Sequence, residues 1–195
     1  MRKIPGTFKT SILGCALALA EFSAAHAGGF KVLHYFAGGS GDGALPNEVL
    51  SLDKNHLYLT TYEGGANGAG TISVIDKDGG VTILHSFGAD AYDGKFPAGS
   101  LFAENNYLYG TTSAGGFYKW GTIFSFGLDG GSYGGYDFGD GDYDGREPTG
   151  GLEPDGEVLF GTTRVGGGPN NYGTVFEWDG TNEGMIHDFD KEDGA

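Results

Sequence analysis

A repeat of 51 residues constrains this chain more than any other feature of its sequence. Single residues and residue pairs return at this spacing through most of the 195 residues. The clearest recurring groups are Thr60-Thr61, Thr111-Thr112 and Thr162-Thr163; Pro46, Pro97 and Pro148; and Asp42-Gly43, Asp93-Gly94 and Asp144-Gly145. A period of this length indicates one supersecondary unit that stacks on copies of itself, because a single unit cannot bury both of its faces.

Each repeat contains four runs rich in β-branched and aromatic residues, which favour strands. In the second copy these runs are Thr82 to Phe87, a segment through Leu101, Leu108 to Thr112, and Thr122 to Phe126. Turns rich in glycine and aspartate separate them. The matching segment Val32 to Phe36 is predicted to be the opening strand of the first copy. No run of ten residues after the leader has a helical period, so the predicted fold class is all-β.

Four strands in about 50 residues is the size of one β-propeller blade. We therefore predict an all-β, β-propeller-like tandem array of four-stranded blades, with about three copies plus one strand. The predicted units, all within a single repeat domain, 28–195, are 30–80, 81–131, 132–182 and a partial unit 183–195. Because closed propellers usually have roughly four to eight blades, we expect an incomplete array. Either it is part of a longer chain, or self-association of two chains closes it.

The repeated motifs also resemble those of a known family. Leu-Tyr-Gly-Thr-Thr at 108–112 is followed by Gly115-Gly116 and by Gly-Thr-Ile-Phe at 121–124, and Leu84-His85-Ser86-Phe87 with Asp93 to Leu101 supplies the rest. The pattern resembles the Gloeo/Verruco (GloVer) extracellular tandem repeat of bacteria over residues 30–195. The resemblance implies an exported, β-propeller-like repeat protein, often anchored at the surface, with no assigned catalytic residues.

Residues 1–27 have the pattern of a signal peptide. A basic start precedes an apolar run from Ile12 to Ala20, and Ala25-His26-Ala27 is a small-x-small cleavage site. We expect cleavage after Ala27 and export to the extracellular space, the cell surface or the periplasm. Lipid attachment through Cys15 is the alternative, but little apolar sequence precedes that cysteine.

The charge of the chain excludes some partners. Its formal net charge is −15 at pH 7, and such a surface repels nucleic acid and anionic lipid. No stretch after the leader is long and apolar enough to span a membrane. Cys15 is the single cysteine, so we expect no disulfide in the exported chain.

Three aspartates at alternate positions form the sharpest local motif of the sequence. Asp140, Asp142 and Asp144 are followed by Gly145, and carboxylates spaced in this way can curl around Ca²⁺. We predict a calcium site at these three residues. The alternative is an acidic, solvated loop, because Gly151 stands where an EF-hand loop would need a bidentate glutamate.

The loops that follow the Gly-Gly pairs vary most between copies, and variable loops on a repeated scaffold are common binding sites. Phe117, Tyr118, Trp120 and Tyr172 lie in these loops and are predicted to bind a ligand. Aromatic rings there would stack on a sugar of a glycan partner or contact a protein partner. The alternative is that they cover a junction between blades.

Two further recurring features are interpreted as structural. His34, His85 and His187 share one repeat position, and Tyr136 takes it in the third copy. This exchange favours an aromatic ring that packs and makes one hydrogen bond over a zinc ligand. The Thr-Thr pairs are interpreted as strand-pairing residues, since no base recurs beside them to activate a hydroxyl.

The sequence therefore favours an exported, non-enzymatic repeat protein that acts as a structural or interaction module, with calcium as a candidate stabilising ion. A carbohydrate-binding module that uses the loops after Gly-Gly is one alternative. A propeller-type lyase or glycoside hydrolase is another, and two close, buried carboxylates with a raised pKa in a cleft would be its sign.

Overall fold

The computed structural model describes residues 31–47, 51–53, 56–130 and 133–193. The predicted signal peptide, 1–27, lies outside these residues. Within the described ranges the chain forms strands, turns and loops, and it contains no helix that is long and apolar enough to cross a membrane. The predicted all-β fold class is confirmed.

The strands group into three antiparallel sheets, one per repeat. Sheet 1 contains β1 (Gly43–Pro46), β2 (Ser51–Asp53), β3 (His56–Gly64), β4 (Thr71–Ile75) and β5 (Val81–Ser86). Sheet 2 contains β6 (Gly94–Glu104), β7 (Tyr107–Gly115), β8 (Thr122–Gly127) and β9 (Tyr133–Asp137). Sheet 3 contains β10 (Gly145–Pro148), β11 (Glu153–Asp155), β12 (Val158–Gly166), β13 (Thr174–Trp178) and β14 (Glu183–Asp188).

The three sheets share one topology. Sheet 2 has the order β6-β7-β8-β9, and in sheets 1 and 3 two short strands replace the single long strand β6. Each sheet is thus a four-stranded meander, which is compatible with an incomplete propeller-like array. The last strand of each sheet, β5, β9 or β14, is the first strand of the next predicted sequence unit. The two divisions are compatible, because a repeat can be divided at any phase of its period.

The strand register also repeats, and the threonine pairs maintain it. Thr61 pairs with Thr71, and Thr112 pairs with Thr122. The two hydroxyl oxygens lie 2.9 Å apart in both pairs, and Thr61 and Thr112 are fully buried. Cross-strand hydroxyl bonds of this kind stabilise a sheet, so these threonines have the structural role that the sequence predicts.

Consecutive sheets pack against each other through two clusters of buried apolar side chains. Cluster 1, between sheets 1 and 2, contains Tyr58, Ala69, Ile72, Phe87, Leu101, Leu108 and Phe124. Cluster 2, between sheets 2 and 3, contains Ile123, Phe138, Leu152, Leu159, Phe176 and Trp178. In each cluster a phenylalanine from the connection between sheets meets one from the next sheet. The ring centroids lie 5.2 Å apart for Phe87 and Phe124 and 5.1 Å apart for Phe138 and Phe176.

The middle of each sheet is filled in one of two ways. In sheets 2 and 3, Gly110 and Gly161 face Phe124 and Phe176 across the strand pair. A Cβ atom on Gly110 would come within 2.6 Å of the Phe124 ring. In sheet 1, Leu59 takes the glycine position and Ser73 the phenylalanine position, and both are buried. The two exchanges compensate each other, because the leucine fills the space that the ring fills elsewhere.

The prediction that Val32 to Phe36 form a strand is wrong. Residues 31–38 lie outside the strands, whereas the equivalent segments β5, β9 and β14 each pair with the third meander strand of their own sheet. A strand needs such a partner for its backbone groups, and the described residues contain no sheet before β1.

An aspartate fixes the connection that leads into each sheet. Asp93 accepts a hydrogen bond from the Ala89 N–H at 2.9 Å and lies 3.2 Å from the Nε2 atom of His85. The His85 ring also meets the Phe87 ring edge-on. The same pairing joins Asp42 to His34, Asp144 to Tyr136 and Asp193 to His187. We call these four pairs the Asp clasps; they give each ring a polar partner, and each ring also packs edge-on against a phenylalanine two residues later, in line with the structural role that the sequence predicts.

Candidate binding site at the junction of the three sheets

A cavity of about 590 Å³ opens where residues of all three repeats meet. Sites for small molecules usually have volumes of about 300–1,000 Å³, so the size suits a ligand of a few rings. Its wall consists of Asn47 and Tyr62 from the first repeat; Phe96, Pro97, Ala98, Gly99, Ser113, Ala114, Lys119 and Trp120 from the second; and Glu147, Thr149 and Arg164 from the third.

A sharp turn in the first strand of each sheet shapes this wall. Leu45, Phe96 and Glu147 precede the repeated prolines and have φ angles of 54°, 57° and 54°. This left-handed region is costly for residues with a side chain. In two of the three cases the N–H of the left-handed residue donates to a loop carbonyl of the preceding sheet. Phe96 donates to Ala69 at 2.8 Å, and Glu147 donates to Trp120 at 2.7 Å. These bonds hold the Phe96 and Glu147 backbones where their side chains line the cavity.

Aromatic rings supply the apolar part of the wall. Trp120 is 41% exposed, and the Arg146 guanidinium carbon lies 5.2 Å from the centroid of its ring. The rings of Tyr62 and Phe96, which come from different sheets, stack with their centroids 5.1 Å apart. The cavity therefore offers planar apolar surfaces whose orientation is set before any ligand arrives.

Polar groups with fixed positions complete the wall. Arg164 forms an ion pair with Glu147. The Lys119 ammonium donates to the carbonyls of Gly116 and Ala91. The Asn47 amide donates to the Thr60 hydroxyl at 2.6 Å and to the Pro97 carbonyl at 3.0 Å. Since these groups are already held, they lose little freedom when they bind a ligand.

Of the four predicted ligand-binding aromatics, the structure brings Phe117 and Tyr118 into edge-on contact, with their ring centroids 4.9 Å apart. Trp120 lines the cavity, whereas Phe117 stacks on Tyr92 with a centroid distance of 5.7 Å. The Tyr118 hydroxyl donates to Asp140, and Tyr172 is 37% exposed in the equivalent loop of the third repeat. A role for Phe117, Tyr118 and Tyr172 in ligand binding stays a prediction.

The three aspartates predicted to bind calcium have separate surroundings. Asp144 belongs to an Asp clasp and accepts hydrogen bonds from the Asp140 N–H and the Tyr136 hydroxyl. The Asp140 carboxylate accepts from Tyr118, and Asp142 borders a smaller cavity beside Arg146. Among the described residues no group of three or more His, Cys, Asp and Glu side chains is placed to hold a metal ion. Calcium binding here stays a prediction.

A pair of carboxylates, Asp144 and Glu183, lies at the Asp clasp that Asp144 forms with Tyr136, the third along the chain. Burial raises the pKa of Glu183 to about 7, and the charge of Asp144 adds to this effect. Burial also raises the pKa of Tyr136, again with help from Asp144. One oxygen of each carboxylate, Oε1 of Glu183 and Oδ1 of Asp144, is buried without a hydrogen-bond partner. The pair is outside the wall of the central cavity.

Sequence reasoning missed Phe96, Glu147, Tyr62 and Arg164 as site residues. The sequence carries a usable signal for these residues. The residue before the repeated proline and the residue after the Thr-Thr pair both change chemistry between copies, while their neighbours stay constant. Leucine, phenylalanine and glutamate precede the repeated proline, and tyrosine, serine and arginine follow the Thr-Thr pair. Variation at fixed positions of a repeated scaffold is typical of a binding surface.

Three sheets with one topology and one register define an all-β tandem-repeat protein. The chain belongs to the Gloeobacter/Verrucomicrobia repeat family, whose model matches residues 20–195. No curated protein matches the chain.

Proposed function

We propose that the protein is an exported, non-enzymatic binding module that holds a saccharide in the central cavity. The observation that carries the proposal is the pairing of aromatic faces with held polar groups in one wall. Trp120 and the stacked pair of Tyr62 and Phe96 supply the faces, and Arg164 and Asn47 supply polar groups. Sugars present both kinds of surface, because apolar C–H faces alternate with hydroxyl edges.

The charge of the wall favours a saccharide that carries carboxylates. Lys119 and Arg164 are two cations, and Glu147 is the one acid of the cavity wall. The chain as a whole has a net charge of −15, so a cationic wall is a local exception. A uronate carboxylate would meet Lys119 and would compete with Glu147 for the guanidinium of Arg164.

The presence of one acid in the cavity wall also supports binding rather than catalysis. Glycoside hydrolysis generally needs two carboxylates that flank the scissile bond, and the cavity wall offers Glu147, which is already paired with Arg164. The raised pKa of Glu183 belongs to a different place, the third Asp clasp. We therefore place the lyase and hydrolase alternatives behind a binding module.

Export rests on the leader, residues 1–27, with its basic start, apolar run and small-x-small site. An acidic repeat domain with saccharide affinity suits contact with a polysaccharide outside the cell. N-terminal sequencing of the protein from the culture medium or the cell surface is expected to begin at Gly28. Retention of the uncleaved chain inside the cell would contradict export.

The binding proposal is tested by screening the purified protein on a glycan array that includes neutral and uronate-containing polysaccharides. Any hit is then measured by calorimetry with the Trp120→Ala variant. We expect at least a tenfold loss of affinity, because the aromatic platform is removed.

Phe117→Ala is the matched control, since Phe117 is an exposed aromatic of the same loop that lies outside the cavity wall. It is expected to bind like the unaltered protein. If Phe117→Ala loses binding and Trp120→Ala keeps it, the loop face is the site and the cavity is not. Absence of any glycan hit would refute the saccharide proposal.

A further inference from the structure

We propose that a second cavity, between sheets 2 and 3, binds a quaternary ammonium ion such as the head group of choline. This cavity has a volume of about 130 Å³, below the range of about 300–1,000 Å³ that is usual for ligand sites. Its size suits one compact head group rather than a sugar ring. Among the described residues it shares no wall residue with the central cavity, so this proposal is independent of the saccharide proposal.

Three aromatic side chains form a corner of this second cavity. Phe102 and Tyr109 pair across β6 and β7, and their ring centroids lie 6.0 Å apart with 29° between the ring planes. Trp178 of sheet 3 meets Tyr109 at 62°, with 6.2 Å between the centroids. Two nearly parallel rings with a third set steeply against them can enclose an ammonium ion on more than one side, as aromatic cages do.

The exposed part of the wall is acidic. Glu104, Glu157 and Asp179 line the second cavity and are exposed, and the described residues of its wall include no basic side chain. The Asp179 carboxylate accepts hydrogen bonds from the N–H groups of Asn182 and Thr181 at 2.7 and 2.9 Å, and these bonds lower the pKa of Asp179. The wall therefore attracts a cation and repels a carboxylate.

The buried part of the wall is apolar, and this distinguishes one kind of cation from another. Trp178 and Leu159 are 3% and 7% exposed. A primary ammonium is a compact, strongly hydrated charge, which such a surface cannot solvate. A quaternary ammonium spreads its charge over methyl groups, so it can contact aromatic and aliphatic side chains without loss of a tight hydration shell.

The indole of Trp178 carries a donor that the described residues leave unused. Its Nε1 atom is buried without a hydrogen-bond partner among them, although buried donors are normally paired. Because Trp178 is part of the cavity wall, an oxygen on the ligand can accept this hydrogen bond. Choline has both the quaternary ammonium and a hydroxyl oxygen.

A comparison with the junction of sheets 1 and 2 shows how the space arises. Leu128, the second residue after Phe126, packs against cluster 1. Gly180, the second residue after Trp178, has no side chain, and nothing lies within 4 Å of the place where its Cβ atom would be. The third repeat therefore leaves open a space of the kind that a leucine fills in the second.

The lining of the second cavity also differs from the equivalent positions one repeat earlier. Phe102 stands where the first repeat has Ser51, since each pairs with the tyrosine of its neighbouring strand. Glu157 precedes β12 where Asn106 precedes β7. An aromatic ring and a carboxylate thus replace two neutral polar side chains at the junction that has the open space.

The proposal is tested by titrating the purified protein with choline and following the indole N–H of Trp178 by nuclear magnetic resonance. Trp178→Phe assigns this signal. We expect choline to shift it with saturation. The neutral isostere of choline, in which a carbon atom replaces the nitrogen, should bind at least about tenfold more weakly, because it lacks the charge that the rings and acids attract.

Two variants taken from the chain's own copies test the wall. Phe102→Ser introduces the residue of the first repeat and should weaken choline binding about tenfold. Glu157→Asn introduces the residue of the second repeat and should weaken it about two- to fivefold. Glu153→Gln is the matched control, because Glu153 is an exposed acid of sheet 3 outside the cavity wall. It should bind choline like the unaltered protein, and circular dichroism verifies that each variant folds.

Three results would overturn the proposal. The first is the absence of any shift of the Trp178 signal with choline. The second is equally tight binding of the neutral isostere, which would show a merely apolar cavity. The third is choline binding that Phe102→Ser and Glu157→Asn leave unchanged. Since the glycan measurements concern the central cavity, either proposal can fail while the other holds.

Discussion

The first and second sheets fill the same space with opposite choices of residue. Sheet 2 places no side chain at Gly110 and a large ring at Phe124, and sheet 1 places Leu59 opposite the small Ser73. All three side chains, Leu59, Ser73 and Phe124, are buried, at 1%, 0% and 1% exposure. The strand pairing around them is the same in both sheets.

The difference shows that the repeat preserves volume at this point rather than residue identity. A core at native density feels a change of a single methylene, so a glycine-to-leucine exchange in one copy requires a loss of volume nearby. That loss occurs on the residue directly across the strand pair. The size of residue that this glycine position accepts therefore depends on the size of the side chain directly across the strand pair.

The largest effect is expected from exchanging the two solutions within sheet 2. Phe124→Ser removes a buried ring and should lower the free energy of unfolding by about 3–5 kcal/mol. Gly110→Leu alone should cost about 1–3 kcal/mol, because the leucine meets the Phe124 ring. The double variant copies sheet 1 and should cost at least about 1 kcal/mol less than the sum.

Equilibrium urea unfolding of the four proteins measures this cycle. The reverse pair in sheet 1, Leu59→Gly with Ser73→Phe, is the control for direction. Additive energies in both sheets would show that the two residues do not share one volume.

A second effect should distinguish the Asp clasp before sheet 2 from those at the ends of the array. The Asp93 side chain is 6% exposed, whereas Asp42 is 15% and Asp193 is 37% exposed. Asp93→Ala leaves the Ala89 N–H without its acceptor, so we expect a loss of about 1–3 kcal/mol. The loss should be smaller for Asp42→Ala and smallest for Asp193→Ala. Urea midpoints of the three variants give the order, and an equal loss in all three would contradict the dependence on burial.

Sheet 3 differs from sheet 1 in carrying a buried acid, Glu183, which should make its stability depend on pH. Glu183 pairs with Trp178, where sheet 1 pairs Val81 with Ile75. Burial first, and Asp144 second, raise the pKa of Glu183 from 4.5 to about 7. The folded state therefore binds a proton that the unfolded state releases, and stability falls as pH rises between these two values.

Thermal melting of Glu183→Gln and of the unaltered protein at about pH 5 and about pH 8 measures this linkage. The variant should gain relative to the unaltered protein as pH rises, because glutamine remains neutral. Glu177→Gln, at an exposed position of the neighbouring strand, is the control. A stability difference that does not change with pH would contradict the raised pKa.

The smallest effect is expected for calcium. Asp140 and Asp142 stand in the third copy of the clasp loop at positions where the first copy has Gly38 and Ser40 and the second has Ala89 and Ala91. If calcium binds there, melting temperature should rise by a few degrees with millimolar Ca²⁺, and the rise should vanish in Asp142→Asn. A response that Asp142→Asn retains, or no response in the unaltered protein, would remove the site.

The sequence predicts the sheets well because their signals are local and repeated. β-Branched runs such as Thr71–Ile75 alternate with glycine turns, and each signal occurs three times. The segment 32–36 has the same local signal, yet it is not a strand. Its failure shows that a run of strand-forming residues also needs a neighbour to pair with.

The cavity was less accessible to sequence reasoning. Its wall joins Tyr62, Phe96 and Arg164, residues that are far apart in the chain and come from three sheets. The aromatic cluster in its loop predicts Trp120 as a site residue. Phe117 and Tyr118 of the same loop instead contact Tyr92 and Asp140. Variation between copies marks the Tyr62 and Phe96 positions as candidates, but which side chains converge depends on how one sheet packs on the next.

The left-handed turn before each proline has a consequence for how such a protein can diversify. The backbone conformation is the same whether the residue is Leu45, Phe96 or Glu147, so the strain is a property of the position and not of the side chain. Duplication of the repeat thus supplies several copies of one backbone position at which aliphatic, aromatic and acidic side chains are interchangeable without a change in the scaffold. Selection for a new ligand can act on these positions one codon at a time, while the sheets that hold them stay unchanged.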